Sequence, residues 1–115
     1  SLLLSTSNVW AAMAEVALTP GTTISWDMSA GIDFSISPVQ NFTLANPTNT
    51  TVGKRGRIRI IQDATGSRVL TLDTNFKKVG GVTPVLSTAA NAIDVLYYDC
   101  VSSTVIHVSM NKGMS

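Results

Sequence analysis

The chain has 115 residues, 44% of them hydrophobic, which is enough for one domain with a buried core and excludes a disordered tail. Charged residues make up only 13%, about half the usual share, and 13 serines and 14 threonines take their place, so the surface is neutral and hydroxyl-rich. The net charge of +1 provides no global field to gather nucleic acid or an acidic membrane, and no apolar run reaches the ~18 residues of a membrane span.

In chain order, Ser1-Leu2-Leu3-Leu4 is too short for a signal segment and lacks its basic flank. Opening on Ser rather than Met, the chain is compatible with an excised piece of a longer protein. Ser7-Asn8 offers a helix N-cap before Val9-Trp10-Ala11-Ala12-Met13-Ala14-Glu15-Val16-Ala17-Leu18, an Ala-rich run that Thr19-Pro20-Gly21 ends. Val9, Met13 and Val16 fall at helical spacing with Trp10 beside them. Residues 1–20 are therefore expected to form a short helical segment. With Leu3 and Leu4, its apolar face (Val9, Trp10, Met13, Val16) exceeds what a lone terminal helix needs and is a candidate oligomer contact.

After Gly21 the pattern changes to alternation. Ile24/Trp26/Met28, Ile32/Phe34/Ile36, Phe42/Leu44, Ile58/Ile60, Val69–Leu72, Ala92–Tyr98 and Thr104–Ser109 alternate apolar with polar, separated by Asn46-Pro47, Gly66, Gly80-Gly81 and Ser102-Ser103. The spacing predicts an all-β domain over residues 21–115, an antiparallel sandwich or jelly roll of about 7–8 strands. No internal repeat of 20–50 residues is visible. Asp63-Ala64-Thr65-Gly66 and Asp99–Ser103 read as hairpin turns.

Candidate chemistry is sparse. Asp27 and Asp33 could pose as a glycosidase pair, but each has the opposite parity to its apolar face and is expected to be an outward strand charge. His107 is the only histidine and lacks the companions of a triad or a metal site. Cys100 is the only cysteine, so no intrachain disulfide holds the fold, and a passive thiol is expected. Val52-Gly53-Lys54-Arg55-Gly56 fails the spacing of a phosphate loop. Five of the eight cations lie between Lys54 and Arg68, and Arg57 and Arg59 share one strand face. Lys54, Arg55, Arg57 and Arg59 are thus the candidate surface contact, either for a sulfated or phosphorylated glycan or paired with aspartates of a neighbouring strand or subunit. Tyr97 and Tyr98 point to opposite faces, so one is expected to be exposed.

The order of several blocks carries more information. Leu44-Ala45-Asn46-Pro47-Thr48-Asn49 leads through Gly53 and Gly56 into Ile58 and Ile60. Gln62-Asp63-Ala64-Thr65-Gly66-Ser67-Arg68-Val69-Leu70 follows, then Asn75-Phe76-Lys77, Gly80-Gly81, Pro84–Ala92 and Asp94-Val95-Leu96-Tyr97-Tyr98. This order resembles a small domain of tailed-bacteriophage structural proteins, found near the C-termini of tail-fibre-like proteins. The segment before Leu44 does not carry it.

The resemblance implies a virion component without enzymatic activity or cofactor, a homo-oligomer (trimer favoured) that contacts other virion proteins and a host cell-surface glycan. Nucleic acid and membrane insertion are not implied. Tail fibre, head fibre or spike, and baseplate component are all compatible. The alternatives from other classes are a free-standing carbohydrate-binding β-sandwich, which needs a row of exposed aromatics, and a glycan hydrolase built on Asp27 and Asp33.

Overall fold

A computed structural model describes residues 15–113. Nine strands run in the order β1 (Val16–Ala17), β2 (Thr23–Ile24), β3 (Phe34–Ile36), β4 (Phe42–Leu44), β5 (Arg55–Ile61), β6 (Leu70–Leu72), β7 (Phe76–Lys78), β8 (Ile93–Ser102) and β9 (Val105–Asn111). They form a six-stranded sheet, β1-β3-β5-β8-β9-β7, and a three-stranded sheet, β2-β4-β6. The fold is all-β; the six-stranded sheet is mixed and the three-stranded sheet is parallel.

The first six strands alternate between the two sheets, so the chain winds as a coil of three turns. Each return to a sheet runs in the same direction as before, and the stacked strands are therefore parallel. This corrects the antiparallel expectation: only β5–β8 and β8–β9 are antiparallel, while β7 joins β9 in parallel. The register stacks Val16 on Phe34 on Ile58 in one sheet and Ile24 on Leu44 on Leu72 in the other. Successive turns differ in length because the connections differ, so this structural repeat has no matching period in the sequence.

The helix expected to reach Leu18 is also corrected at its described end. Val16 and Ala17 are strand residues, with the Val16 N–H donating to Asp33 and the Leu18 N–H to Ser35. Pairing with β3 and packing of Val16 and Leu18 on the core override local helix propensity here. Leu3, Leu4, Val9, Trp10 and Met13 lie outside the described residues.

One core serves both sheets. Ile24, Leu44 and Leu72 meet Phe34, Ile58, Leu96 and Ile106 in a single buried cluster. Trp26 sits at its centre, edge-on to Phe34 (5.4 Å) and Tyr98 (5.0 Å) and stacked on Phe76 (6.1 Å). Above Tyr98, Gly56 leaves the room its neighbour needs: a Cβ there would stand 2.2 Å from the Ile32 carbonyl and 2.7 Å from the Tyr98 hydroxyl. The Tyr98 hydroxyl uses that space to donate to the Ile32 carbonyl at 2.5 Å.

The blocks picked out in the sequence are turns and clamps. Asn46 accepts from the Asn75 N–H and donates to Thr74, tying the 46–48 segment to the β6–β7 turn. Buried Gln62 donates to the carbonyls of Arg68 and Ser87 and accepts from the Arg68 N–H. Asp63 accepts from the N–H groups of Thr65 and Gly66 and from the Arg68 guanidinium. Gly66, at φ 73°, lies so close to the Thr88 carbonyl that a Cβ would meet it at 2.4 Å. Buried Asp94 accepts from the Ser87 N–H and hydroxyl and from the Gly113 N–H. Together Gln62 and Asp94 hold the irregular Pro84–Ala92 segment against the sheet.

Trp26→Ala should cost about 3–5 kcal/mol, because Trp26 is 1% exposed and joins three other rings. Denaturant unfolding followed by far-UV circular dichroism would measure the loss. A cost below about 1 kcal/mol would contradict this packing.

Candidate binding face

On β5, Gly56, Ile58 and Ile60 face the core, so Arg55, Arg57 and Arg59 face outward. On β8 the same alternation buries Leu96, Tyr98 and Cys100 and presents Tyr97, Asp99 and Val101. The antiparallel register then lines up rows across three strands. Arg57 is opposite Tyr97, which is opposite Ser109; Arg55 is opposite Asp99, which is opposite His107. The parallel partner β7 extends the second row to Lys77. Arg55, Arg57, Tyr97, Asp99 and His107, with Asp33 from the approach to β3, line a shallow depression of about 710 Å³. Tyr97 is 38% exposed at its centre.

The electrostatics are closely balanced. Arg55 lies 3.5 Å from Asp99 and Arg57 3.6 Å from Asp33, each through Nε. Arg59 is engaged more tightly, donating from Nε and an Nη to the two oxygens of Glu15 at 3.0 and 2.7 Å. Lys54 turns away from this row, and its ammonium donates to the Met28 carbonyl. Burial lowers its pKa, an effect the Asp27 charge partly offsets. Of the four cations grouped by the sequence, Arg55 and Arg57 share the depression, Arg59 is paired with Glu15, and Lys54 serves the fold. The pairing of Arg55 and Arg57 with carboxylates of adjacent segments is the neighbouring-strand alternative raised by the sequence.

The aspartates considered for hydrolysis are committed elsewhere. Asp27 caps the 3-10 turn Met28–Ala30, accepting from the Ser29 hydroxyl and N–H and from Asn49. Those hydrogen bonds, the Ser29 hydroxyl's first, hold its carboxyl below the ordinary range, the reverse of what a general acid requires. Asp33 is the ion-pair partner of Arg57. No cluster of metal-ligating side chains occurs among the described residues. Cys100 is fully buried and its thiol pKa is raised by burial, as suits a passive thiol.

A family profile described as "Putative phage tail fibre C-terminal domain" matches residues 18–99. The chain belongs to this family. The family is a structural, non-enzymatic kind of protein, and membership makes the chain a virion-associated phage fibre component. The match begins ahead of Leu44, so β2, β3 and β4 share the family likeness that the sequence blocks placed only from Leu44 onward. No curated protein and no solved structure matches the chain.

Sequence parity put Arg57 and Arg59 on the outward face of their strand, as β5 has them, and exposed one of the two tyrosines; Arg55, expected just ahead of the strand, is its first residue. The companions of Tyr97 in the tail fibre domain went unrecognised. His107 and Asp99 reach it through strand register and Asp33 through the coil, and neither relation leaves a local sequence signal.

Tyr98 supplies a pH test of the scaffold beneath this face. Burial, with the charges of Asp33 and Cys100, pushes its phenol up to about 12 from 10.0. The folded state thus holds the proton more tightly than the unfolded chain. Stability is intact below pH 10 and falls as pH rises from there to about 12. Tyr98→Phe should flatten this alkaline decline and cost about 1 kcal/mol at neutral pH through loss of the bond to Ile32. Thermal melts across pH 8–12 check it; an unchanged alkaline slope in the variant would refute the assignment.

Proposed function

We propose that the domain contributes to host-surface attachment as part of a tail fibre or spike, acting by multivalent contact rather than chemistry. The observation that carries this reading is the outer face of β5, β8 and β9. Most of the blocks linking the chain to its family are spent on turns, clamps and core. The row around Tyr97, by contrast, is polar, exposed and unused by the fold. The family description favours the tail over the head as its place in the virion.

The working form is a homotrimer. In support, β1, β2, β6 and β7 are edge strands of the described sheets, and Val69, Val82 and Val85 are exposed. Burial of such edges and apolar side chains between subunits removes unpaired backbone groups and wetted valines together. Three weak sites on one particle give firm attachment through effective concentration.

Two measurements test the proposal. Fluorescently labelled protein should bind susceptible bacterial cells, and Tyr97→Ala or Arg57→Ala should reduce binding while a substitution at exposed Val39, Val39→Ser, does not. Equal binding by all three variants would remove the outer face from attachment. Light scattering of the purified chain should give three times the 12.2 kDa chain mass. A stable monomer would eliminate the trimer.

A further inference from the structure

We propose that the depression around Tyr97 seats an uncharged sugar ring, and that its charge pattern selects against acidic saccharides. This rests on the attachment reading and names the ligand class of the same face.

The first ground is shape. Tyr97 stands on a three-stranded antiparallel surface, exposed, with no aromatic among the residues directly opposite it: Arg57 on one side, Ser109 on the other. A phenol ring flanked by Arg57 and Ser109, with Val79 also among the lining residues, provides an apolar plate of one-ring size in a shallow recess. The apolar C–H face of a pyranose fits such a plate, where burial excludes water from both surfaces.

The second ground is the inventory of polar groups. Arg55 and Arg57 stand beside Asp99 and Asp33 at the long separations of 3.5 and 3.6 Å, each measured from Nε. Neither guanidinium makes a hydrogen bond within the described residues. Elsewhere in the domain, arginines of structural use hydrogen-bond their carboxylates twice: Arg59 forks onto Glu15, and Arg68 donates from two nitrogens to Asp63. The pairs beside Tyr97 therefore retain donors on the guanidinium and acceptors on the carboxylate. Adjacent sugar hydroxyls, each able to give and accept a hydrogen bond, match alternating donors and acceptors.

The third ground is charge. Two guanidiniums and two carboxylates line the recess, so their formal charges cancel. A sugar carboxylate, sulfate or phosphate reaching either arginine would face the aspartate already beside it. Like charges so placed oppose binding. An uncharged ring incurs no such opposition. Lys77 lies at the end of the Asp99–His107 row, outside the lining residues.

The test uses isotope-labelled full chain, with amide shifts of Arg55–Arg57, Tyr97–Asp99 and His107–Ser109 followed by NMR. The probes are methyl glucoside, methyl galactoside, methyl mannoside and N-acetylglucosamine, set against glucuronate and glucose 6-phosphate. At least one uncharged probe should shift these amides, with both acidic probes weaker. Tyr97→Ala should weaken that binding about tenfold, the upper range of an aromatic contact, while Tyr97→Phe retains it. The same variants are assayed for cell binding and for mass.

Acidic probes binding more tightly than every uncharged one would overturn the inference, as would silence of all uncharged probes. If the probes are silent but Tyr97→Ala still abolishes cell binding, the sugar class is wrong and the attachment reading stands. If an uncharged probe binds but Tyr97→Ala leaves cell binding unchanged, the site is real and the attachment reading falls. A lower particle mass for Tyr97→Ala would show that a second copy covers the face, which also overturns the inference.

Discussion

The packing of Trp26 against Phe34, Phe76 and Tyr98 is the constraint on which the rest of the domain depends. The coil strands β1–β4 and β6 are only two or three residues long. Such short ladders contribute few hydrogen bonds, and each bond adds only about 0.5–1.5 kcal/mol net. What keeps the turns stacked is the side-chain column inside them, and Trp26 is its widest member. The indole N–H has no acceptor among the described residues, and an unmet buried donor costs about 1–3 kcal/mol. Ring packing on three sides outweighs that cost. The same cluster dictates Gly56, since any larger residue would displace the Tyr98 hydroxyl from Ile32.

A second level of order comes from buried polar groups that are fully used. Gln62 and Asp94 are 2% and 1% exposed, and each makes three hydrogen bonds. Both clamp the same irregular segment at one residue, Gln62 at the Ser87 carbonyl and Asp94 at the Ser87 N–H and hydroxyl. A segment with so little regular structure would otherwise leave its backbone groups to compete for water. Satisfied networks of this kind specify one arrangement, because a half-satisfied alternative is penalised at every broken bond.

Strand positions and side-chain parity were legible in the sequence because they are local: Ile24/Trp26/Met28 and Phe34/Ile36 alternate within a few residues. The coil was not. Its stacking joins Ile24 to Leu44 to Leu72, and connections of unequal length erase any period that could announce it. The residues around Val16 failed for the opposite reason. Their local signal was helical, and pairing with β3 decided otherwise. At the candidate face, parity identified Arg57 as outward together with Arg59, but Asp99, His107 and Asp33 join Arg57 only through register and winding. The arginine cluster looked like a basic patch in one dimension and became a charge-balanced one in three.

That balance bears on how a fibre domain can present a contact surface. β5, β8 and β9 are seven, ten and seven residues long, the longest strands of the domain, and they pair antiparallel through most of their length. Side chains placed there are held by ladder hydrogen bonds on both flanks of β8, unlike groups on the loops. A face built on such strands keeps its spacing whether or not a ligand is present, so little ordering entropy is lost on contact. The ion pairs contribute in the same sense. Exposed pairs stabilise the fold by under about 1 kcal/mol, so their value here is positional, since each carboxylate limits where its arginine can swing. The weak energetics of Arg55–Asp99 and Arg57–Asp33 and the fixed geometry of the strands beneath them together leave a surface that is ordered yet chemically uncommitted.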